Sequence, residues 1–481
     1  MSNRPETNKQ SCPVYKKCGG CQLQNLSYPE QLEFKQRKVE KLLKRFCTVE
    51  KIIGMKTPYH YRNKVQAAFI RTKKGKIISG VYQSGSHHVV GIDSCQTEDV
   101  IADKIIVAVR KLLPSFRMTT YNEDTGKGFL RHILVKRGFA TNQIMLVLVT
   151  GTPVFPSKNN FVKAILKQFP EITTIVQNIN PYRTNLVLGD NQKVLYGKGY
   201  IEDILCGCRF RISPKSFYQI NPVQTEVLYG KAIEFANLKG NETVLDTYCG
   251  IGTIGIIAAK NGAGNVIGAE LNGDAVRDAI VNARANNLKN IRFYKADAGE
   301  FMREAADEDE KPDVVFMDPP RAGSDRKFLD SLIKMSPKKV VYVSCNPETL
   351  ARDLAYLTQN SPYKAQKIQP VDMFPHTAHI ETVVKLVRKT PDAYVDLKVD
   401  MDELDLTASE AKATYEEIKQ YILDKYDTKV SNLYIAQVKE KYGIIERENY
   451  NKPKSANTKQ SQCPAEKAVM IEEAFKHFKM I

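Results

Sequence analysis

Between residues 242 and 357, short apolar runs alternate with longer stretches whose apolar positions recur three or four apart. ETVLD is followed by IGIIAAKNG, NVIGAE by GDAVRDAIVNARANN, PDVVFMD by DRKFLDSLIKM, and KKVVYVS by ETLARDLAYL. The runs read as strands covered on both faces and the stretches as the covering helices. Residues 204–390 are therefore expected to form an α/β domain, Rossmann-like and doubly wound around a parallel sheet. Upstream the period changes to two. NKVQAAFIRTKKGKIISGVYQ, LRHILVKRG, QIMLVLVTG and TNLVLGDNQKVLYG alternate between glycine turns, which predicts a mostly β region, with helices around VIADKIIVAVRKLL and NNFVKAILKQF. PEQLEFKQRKVEKLLKRF predicts a basic helix with Leu32, Val39, Leu42 and Leu43 on its inner face. Near the C-terminus, Thr407 and Glu410 fit a capping box before a helix burying Tyr415, Ile418 and Ile422, NKPKSANTKQSQ reads as a linker, and KVSNLYIAQVKEKYG reads as a packing helix. The expected organisation is an N-terminal arm and the start of a β-rich domain (1–99), the rest of that domain (100–203), the α/β domain (204–390) and a helical extension (391–481).

Charge narrows the partner. Lys and Arg number 71 against 54 Asp and Glu, a formal charge of +17, which favours a polyanion and nucleic acid first. The N-terminus lacks the apolar core of a signal peptide, and no apolar run is long enough to cross a bilayer, so a cytoplasmic protein without a membrane partner is expected. In a reducing compartment the ten cysteines are better candidates for metal ligands, nucleophiles or core residues than for disulfides.

The stretch TVLDTYCGIGTIGIIAA has the form strand, acid, glycine turn, helix, without the G-x-G-x-x-G spacing that a pyrophosphate needs. Asp246 closes that strand. Glu270 closes the next, where a carboxylate suits ribose hydroxyls, and Asp297 closes the third, near where an adenine would lie. Three acids at consecutive strand ends point to S-adenosylmethionine rather than a dinucleotide. The fourth strand ends in MDPPRAG, bringing Asp318 and Arg321 to the same edge, and the fifth delivers Cys345.

A cysteine beside a methyl donor has a specific use. Carbon 5 of a pyrimidine takes a methyl group only after a thiolate has added at C6, and a base must then remove the C5 proton so that the thiol can leave. VDMFPHTAHIETVVKL offers His376, His379 and Glu381, of which Glu381 is the chosen base. The helix start after Pro347 and Arg321 are the expected aids to the thiolate.

Taken together, DPPRAG, VVYVSCNPET and VDMFPHTAHIE resemble the two signature stretches of the RNA uracil-5-methyltransferase family, and FYQIN resembles its donor-binding stretch. The resemblance covers roughly residues 10–390. It implies that Cys345 is the nucleophile, that Glu381 is the base, and that Gln219, Tyr248, Glu270, Asp297 and Asp318 contact the donor. Thr253 departs from the Asn that many relatives carry after the second glycine.

Cys12-x5-Cys18-Gly-Gly-Cys21, with Cys95 far along the chain, supplies four thiols. Residue types alone leave a four-thiolate zinc site open. The arrangement resembles the iron–sulfur branch of the family, which implies a [4Fe–4S] cluster acting as a staple and 23S rRNA as the target, with the tRNA T-loop second. Arg131, His132, Lys136 and Arg137, with Tyr61, Arg62 and Lys64, are the expected RNA-facing groups for a uridine turned out of its stack. A monomer is expected. The competing reading is a non-catalytic RNA-binding protein that retains the fold.

Overall fold

The computed structural model describes residues 12–389, apart from 84, 87, 185 and 309–310, and then 413–442, 463–478 and 480–481. It divides into two units, Met1–Asp392 and Ala393–Ile481.

The first unit opens with α1 (Tyr15–Cys18) and α2 (Tyr28–Leu43), the latter started by a Ser27–Glu30 capping box with Pro29 in its first turn. The β-rich region follows as β1 (Lys64–Arg71), β2 (Ile77–Tyr82), β3 (Val89–Gly91), α3 (Val100–Leu112), β4 (Leu130–Arg137), β5 (Ile144–Thr150), α4 (Lys158–Gln168), β6 (Ile172–Ile179) and β7 (Asn191–Tyr196). Its strands form one sheet in the order β3-β2-β1-β4-β5-β6-β7. Both faces of the middle strands are covered. Ile133, Val135, Leu146 and Leu148 pack with Ile105 of α3 and Phe161 of α4, whereas Leu134, Met145 and Val147 enter the core of the next domain. Strand alternation normally leaves one face wet, but here it feeds two cores.

A hairpin of β8 (Ile201–Leu205) and β9 (Cys208–Ile212) leads into the α/β domain. This comprises α5 (Pro222–Ala236), β10 (Thr243–Thr247), α6 (Thr253–Lys260), β11 (Asn265–Glu270), α7 (Gly273–Ala285), β12 (Ile291–Lys295), α8 (Ala298–Asp307), β13 (Val314–Met317), α9 (Arg326–Met335), β14 (Lys339–Ser344), α10 (Pro347–Asn360), β15 (Tyr363–Val371) and β16 (Glu381–Arg388). The sheet order is β12-β11-β10-β13-β14-β16-β15. Strands β10 to β14 are parallel, as expected. The departure lies at the end, where β16 runs antiparallel between β14 and β15. No crossover helix separates β15 from β16, so the chain can only return in the opposite direction.

The N-terminal arm docks on this edge. Val49 bridges Ile368 and Ile53 bridges Val371. Helix α2 buries Gln31, Lys35, Val39 and Leu43, one residue every four, so two polar side chains occupy the face expected to be apolar. Their partners explain it. Lys35 Nζ donates to Asp372 Oδ1 at 2.6 Å and to the Phe374 carbonyl at 3.0 Å, with both charged side chains fully buried. Tyr28 donates to the other Asp372 oxygen at 2.9 Å. Removing one member of such a pair strands the other charge away from water. Lys35→Ala should therefore cost about 3–5 kcal/mol in denaturant unfolding; a loss below about 1 kcal/mol would show that the pair does not hold the 372–380 loop.

In the second unit α11 (Tyr415–Tyr426), α12 (Asn432–Lys441) and α13 (Ala465–His477) bury Ile418, Ile422, Ile435, Val438, Ile471 and Phe475 together. The capping box before α11 is Thr414–Glu417; Thr407 and Glu410 lie outside the described residues, as does NKPKSANTKQSQ.

Candidate functional site

The glycine turn after β10 is shaped by left-handed backbone at Tyr248, Gly250 and Gly252. A Cβ on Gly252 would meet the Phe293 ring at 2.7 Å, so close packing as well as φ demands glycine there. Asp246 Oδ2 accepts the Gly255 amide of α6 at 2.7 Å and so anchors the turn to the helix. Glu270 accepts the Gly250 amide at 3.0 Å and the Asn272 amide at 2.7 Å, which fixes its carboxylate at the rim of the cleft. Asp297 caps α8, accepting from Gly299 and Glu300. The Tyr248 ring turns toward α9 and packs on Phe328, with centroids 5.4 Å apart.

Burial pushes both Asp246 and Asp318 up to about 7, and the charges of Asp318 and Glu270 add to the effect at Asp246. Carboxylates gathered at these strand ends favour a cationic occupant, and a sulfonium compound bearing an ammonium group is such an occupant.

Cys345 and Glu381 are brought together by strand register. Ser344 lies opposite Thr382 across the β14–β16 pair, so the next position outward on β14 faces Glu381 at the start of β16. Glu381 is only 3% exposed, and burial followed by the Asp318 charge pushes its carboxyl well above the ordinary range. The Cys345 thiol is pushed up to about 11 by burial first, then by Glu381 and Asp318, while its own amide and Arg321 pull the other way. The aid expected from Arg321 is present, but burial outweighs it. Asn346 caps α10, and its Nδ2 donates to the Arg321 carbonyl at 3.2 Å, tying the DPPRAG turn to the cysteine loop.

The two histidines separate. His376 is buried with left-handed backbone; its Nε2 lies 2.9 Å from the Pro58 carbonyl and its Nδ1 3.2 Å from Gln31 Nε2. A carbonyl only accepts, so Nε2 carries the proton and Nδ1 receives one from Gln31. Both nitrogens are engaged in holding the loop. His379 stands edge-on to Phe374, among the charges of Arg321, Lys35, Arg62 and Lys38.

The strand residues expected to face RNA are internal braces. Arg131 is buried against Glu123 and donates to the carbonyls of Asn180 and Tyr182. His132 is buried, and burial pushes it down to about 4. Lys136 Nζ donates to the Ser213 and Ser216 carbonyls, both at 2.8 Å, Arg137 pairs with Asp99, and the Tyr61 hydroxyl donates to the Pro375 carbonyl. The reason is the second core. A strand covered on both faces has no solvent side for its polar residues, so Arg131, Lys136 and Arg137 find partners inside, whereas the buried His132 Nδ1 has no hydrogen-bond partner.

Cys18 closes α1 with Cys12 and Cys21 on either side of the helix, and Cys95 lies between β3 and α3. Gln24 Nε2 donates to Gln96 Oε1 at 2.6 Å, joining the arm to the Cys95 loop. Burial pushes Cys21 up to about 12, and the charges of Cys95, Cys18 and Cys12 add to it. A Cβ on Gly20 would come within 3.3 Å of Cys18 Sγ, so glycine keeps the space beside that sulfur free. Four thiols brought to one region would suit a cationic metal centre once deprotonated. Among the described residues, however, no group of three or more His, Cys, Asp or Glu is arranged to hold a metal ion.

Sequence reasoning missed Lys35 and Asp372. The first had a signal in its regular four-residue spacing with Gln31, Val39 and Leu43.

Residues 183–389 match the tRNA (Uracil-5-)-methyltransferase family. The chain is 44% identical over 389 residues to an "uncharacterized RNA methyltransferase" of Bacillus cereus, covering 80% of this chain and 84% of that protein. With a similarly described Listeria monocytogenes protein the identity is 46% over 379 residues, covering 78% and 83%. The crystal structure of Pyrococcus abyssi tRNA (uracil-54, C5)-methyltransferase in complex with S-adenosyl-L-homocysteine superposes with a TM-score of 0.65 at 31% identity, over 79% of this chain and 88% of that one. With the acidic cleft beside a strand-end cysteine, these likenesses are decisive: the chain belongs to the RNA uracil-5-methyltransferase family, within the S-adenosylmethionine-dependent methyltransferases.

Proposed function

We propose that the protein methylates carbon 5 of uridine in 23S rRNA through a transient bond between Cys345 and C6 of the base. The observation that carries this reading is the register that sets Cys345 against Glu381 at the edge of the acidic cleft. Bound S-adenosylmethionine would supply the methyl group. Gln219, Tyr248, Glu270, Asp297 and Asp318 would be the residues that hold the donor, Glu270 being fixed at its strand end by the Gly250 and Asn272 amides. The Cys345 thiolate adds to C6, the C5 carbon takes the methyl group, and Glu381 then removes the C5 proton as the sulfur leaves. Arg321 favours the thiolate, since its charge opposes the upward pull of burial.

The four-cysteine arm supports the rRNA branch, while the likeness to the Pyrococcus abyssi tRNA (uracil-54, C5)-methyltransferase makes the tRNA T-loop the second target. Cys12, Cys18, Cys21 and Cys95 would hold a [4Fe–4S] cluster, zinc being the competing metal; its part would be to pin the arm, since methyl transfer involves no redox step. The protein would act as a monomer.

One preparation tests both parts. Protein purified anaerobically should contain iron and sulfide. Incubated with S-adenosylmethionine and either 23S rRNA or tRNA transcripts, it should yield 5-methyluridine in the rRNA, read by nucleoside mass spectrometry. Stoichiometric zinc without sulfide overturns the cluster. Methylation confined to tRNA overturns the target, and absence of 5-methyluridine from both overturns the reaction.

A further inference from the structure

The connection between β15 and β16, residues 372–380, is fastened by the N-terminal arm. Gln31 of α2 is 1% exposed, and its Oε1 accepts the His376 amide at 2.9 Å. Its Nε2 donates to the Leu26 carbonyl at 2.9 Å and to His376 Nδ1 at 3.2 Å. Burying a glutamine amide is unfavourable unless it is hydrogen-bonded, and here both hydrogens and the oxygen are engaged. The Leu23 amide donates to the His376 carbonyl at 2.9 Å, and Gln22 Oε1 accepts the Ala378 amide at 3.2 Å. With Nε2 on the Pro58 carbonyl, every polar group of His376 has a partner outside the loop.

What these bonds hold is a strained residue. His376 has a φ of 69°, left-handed backbone that a residue with a side chain keeps only where its surroundings impose it. The kink sets the direction in which the chain continues toward Glu381, and there the direction matters. On the β15 side Glu381 pairs with Val371, but on the β14 side pairing begins one residue later, with Thr382 opposite Ser344. Glu381 is therefore the outermost residue of β16, and the ends of an element are where it opens first. The aim of its carboxylate toward Cys345 depends on how the loop enters the strand.

We propose that Gln31 is a positioning residue for the proton-removal step: by fixing His376 in its left-handed conformation it holds the loop that delivers Glu381. Sulfur addition and methyl transfer, which use Cys345 and the donor, do not draw on this contact. The proposal rests on Glu381 being the base.

Gln31→Met tests this, since methionine keeps the length of the side chain and removes all of its hydrogen bonds. In single turnovers with labelled donor and RNA, formation of the methylated adduct should stay within about threefold of the parent, while its release should slow about ten- to a hundredfold, the effect of a reacting group misplaced by about an ångström. Adduct should then persist on denaturing gels, as in Glu381→Gln, with RNA and donor affinities within about twofold of the parent. Val39→Ala, on the same buried face of α2 but with no polar atom to offer the loop, should lower the melting temperature and leave release at the parental rate. If Gln31→Met does not fold, His376→Ala and His376→Gly take its place. Both lose the ring, but only glycine adopts the left-handed backbone freely, so release should be about fivefold slower in the alanine variant. Release within about twofold of the parent in Gln31→Met, equal slowing in Val39→Ala, or equal release in the two His376 variants would overturn the proposal. An adduct in Glu381→Gln with none in Gln31→Met would sink this proposal alone, whereas absence of adduct from both would remove its premise that Glu381 is the base.

Discussion

Cys345→Ala should lower methyl transfer by on the order of 10⁴-fold or more, because in the proposed mechanism the Cys345 thiolate is what makes C5 of uracil nucleophilic. RNA affinity should stay within about threefold, since one small side chain contributes little to an interface dominated by phosphate contacts. The wild-type thiol also predicts a pH dependence. Its proton is held up to about pH 11 in the free protein, chiefly by burial and then by the Glu381 and Asp318 charges. Below that point the thiolate fraction falls about tenfold per pH unit. The kcat/KM profile, which reports the free enzyme, should therefore climb with pH across the neutral and mildly alkaline range. Arg321→Ala removes the cation that opposes burial, so it should shift the profile further upward and lower the rate at pH 8. Single-turnover assays with a labelled donor decide the matter: transfer by Cys345→Ala at more than about one-hundredth of the parental rate would end the covalent reading.

The parts of this site that the chain spells out locally differ in kind from those it does not. The alternation of apolar runs and helical stretches from Glu242 onward was legible because a strand covered on both faces carries few polar residues, and four such strands, β10, β11, β13 and β14, are parallel neighbours. Cys345 and Glu381 were legible as residues, through the motifs around them. Their contact was not, since it depends on β16 entering antiparallel between β14 and β15, a choice made by tertiary packing. Charged residues misled most. Lys35 looked solvent-facing on α2, and Lys136 looked RNA-facing on β4, because their partners, Asp372 and the carbonyls of Ser213 and Ser216, lie far away in the chain. The capping box shows the same ambiguity on a smaller scale. Thr407–Glu410 and Thr414–Glu417 both satisfy the pattern, and the helix that buries Ile418 and Ile422 starts at the second.

Glu381→Gln should trap the enzyme on its substrate. Glutamine keeps the shape of the side chain but cannot accept the C5 proton, so the reaction should proceed through sulfur addition and methyl transfer and then stop. The product would be a protein–RNA adduct that survives denaturing electrophoresis, with turnover reduced about 10²–10⁴-fold, the usual contribution of a general base. The electrostatics add a second signature. The Glu381 charge is one of the influences that raise the Cys345 thiol, so neutralising it should lower the pH at which the thiolate forms below the parental value of about 11. Alkylation of Cys345 by iodoacetamide, followed peptide by peptide in the mass spectrometer, should show that downward shift without RNA present. The two readouts probe different steps. Adduct accumulation depends on the lost proton acceptor, whereas the alkylation shift depends only on the lost negative charge beside the sulfur. A variant that alkylates at lower pH yet releases its RNA at the parental rate would keep Glu381 as the neighbour of Cys345 while assigning the proton to another group, with His379, two residues before it on the same loop, the next acceptor to substitute.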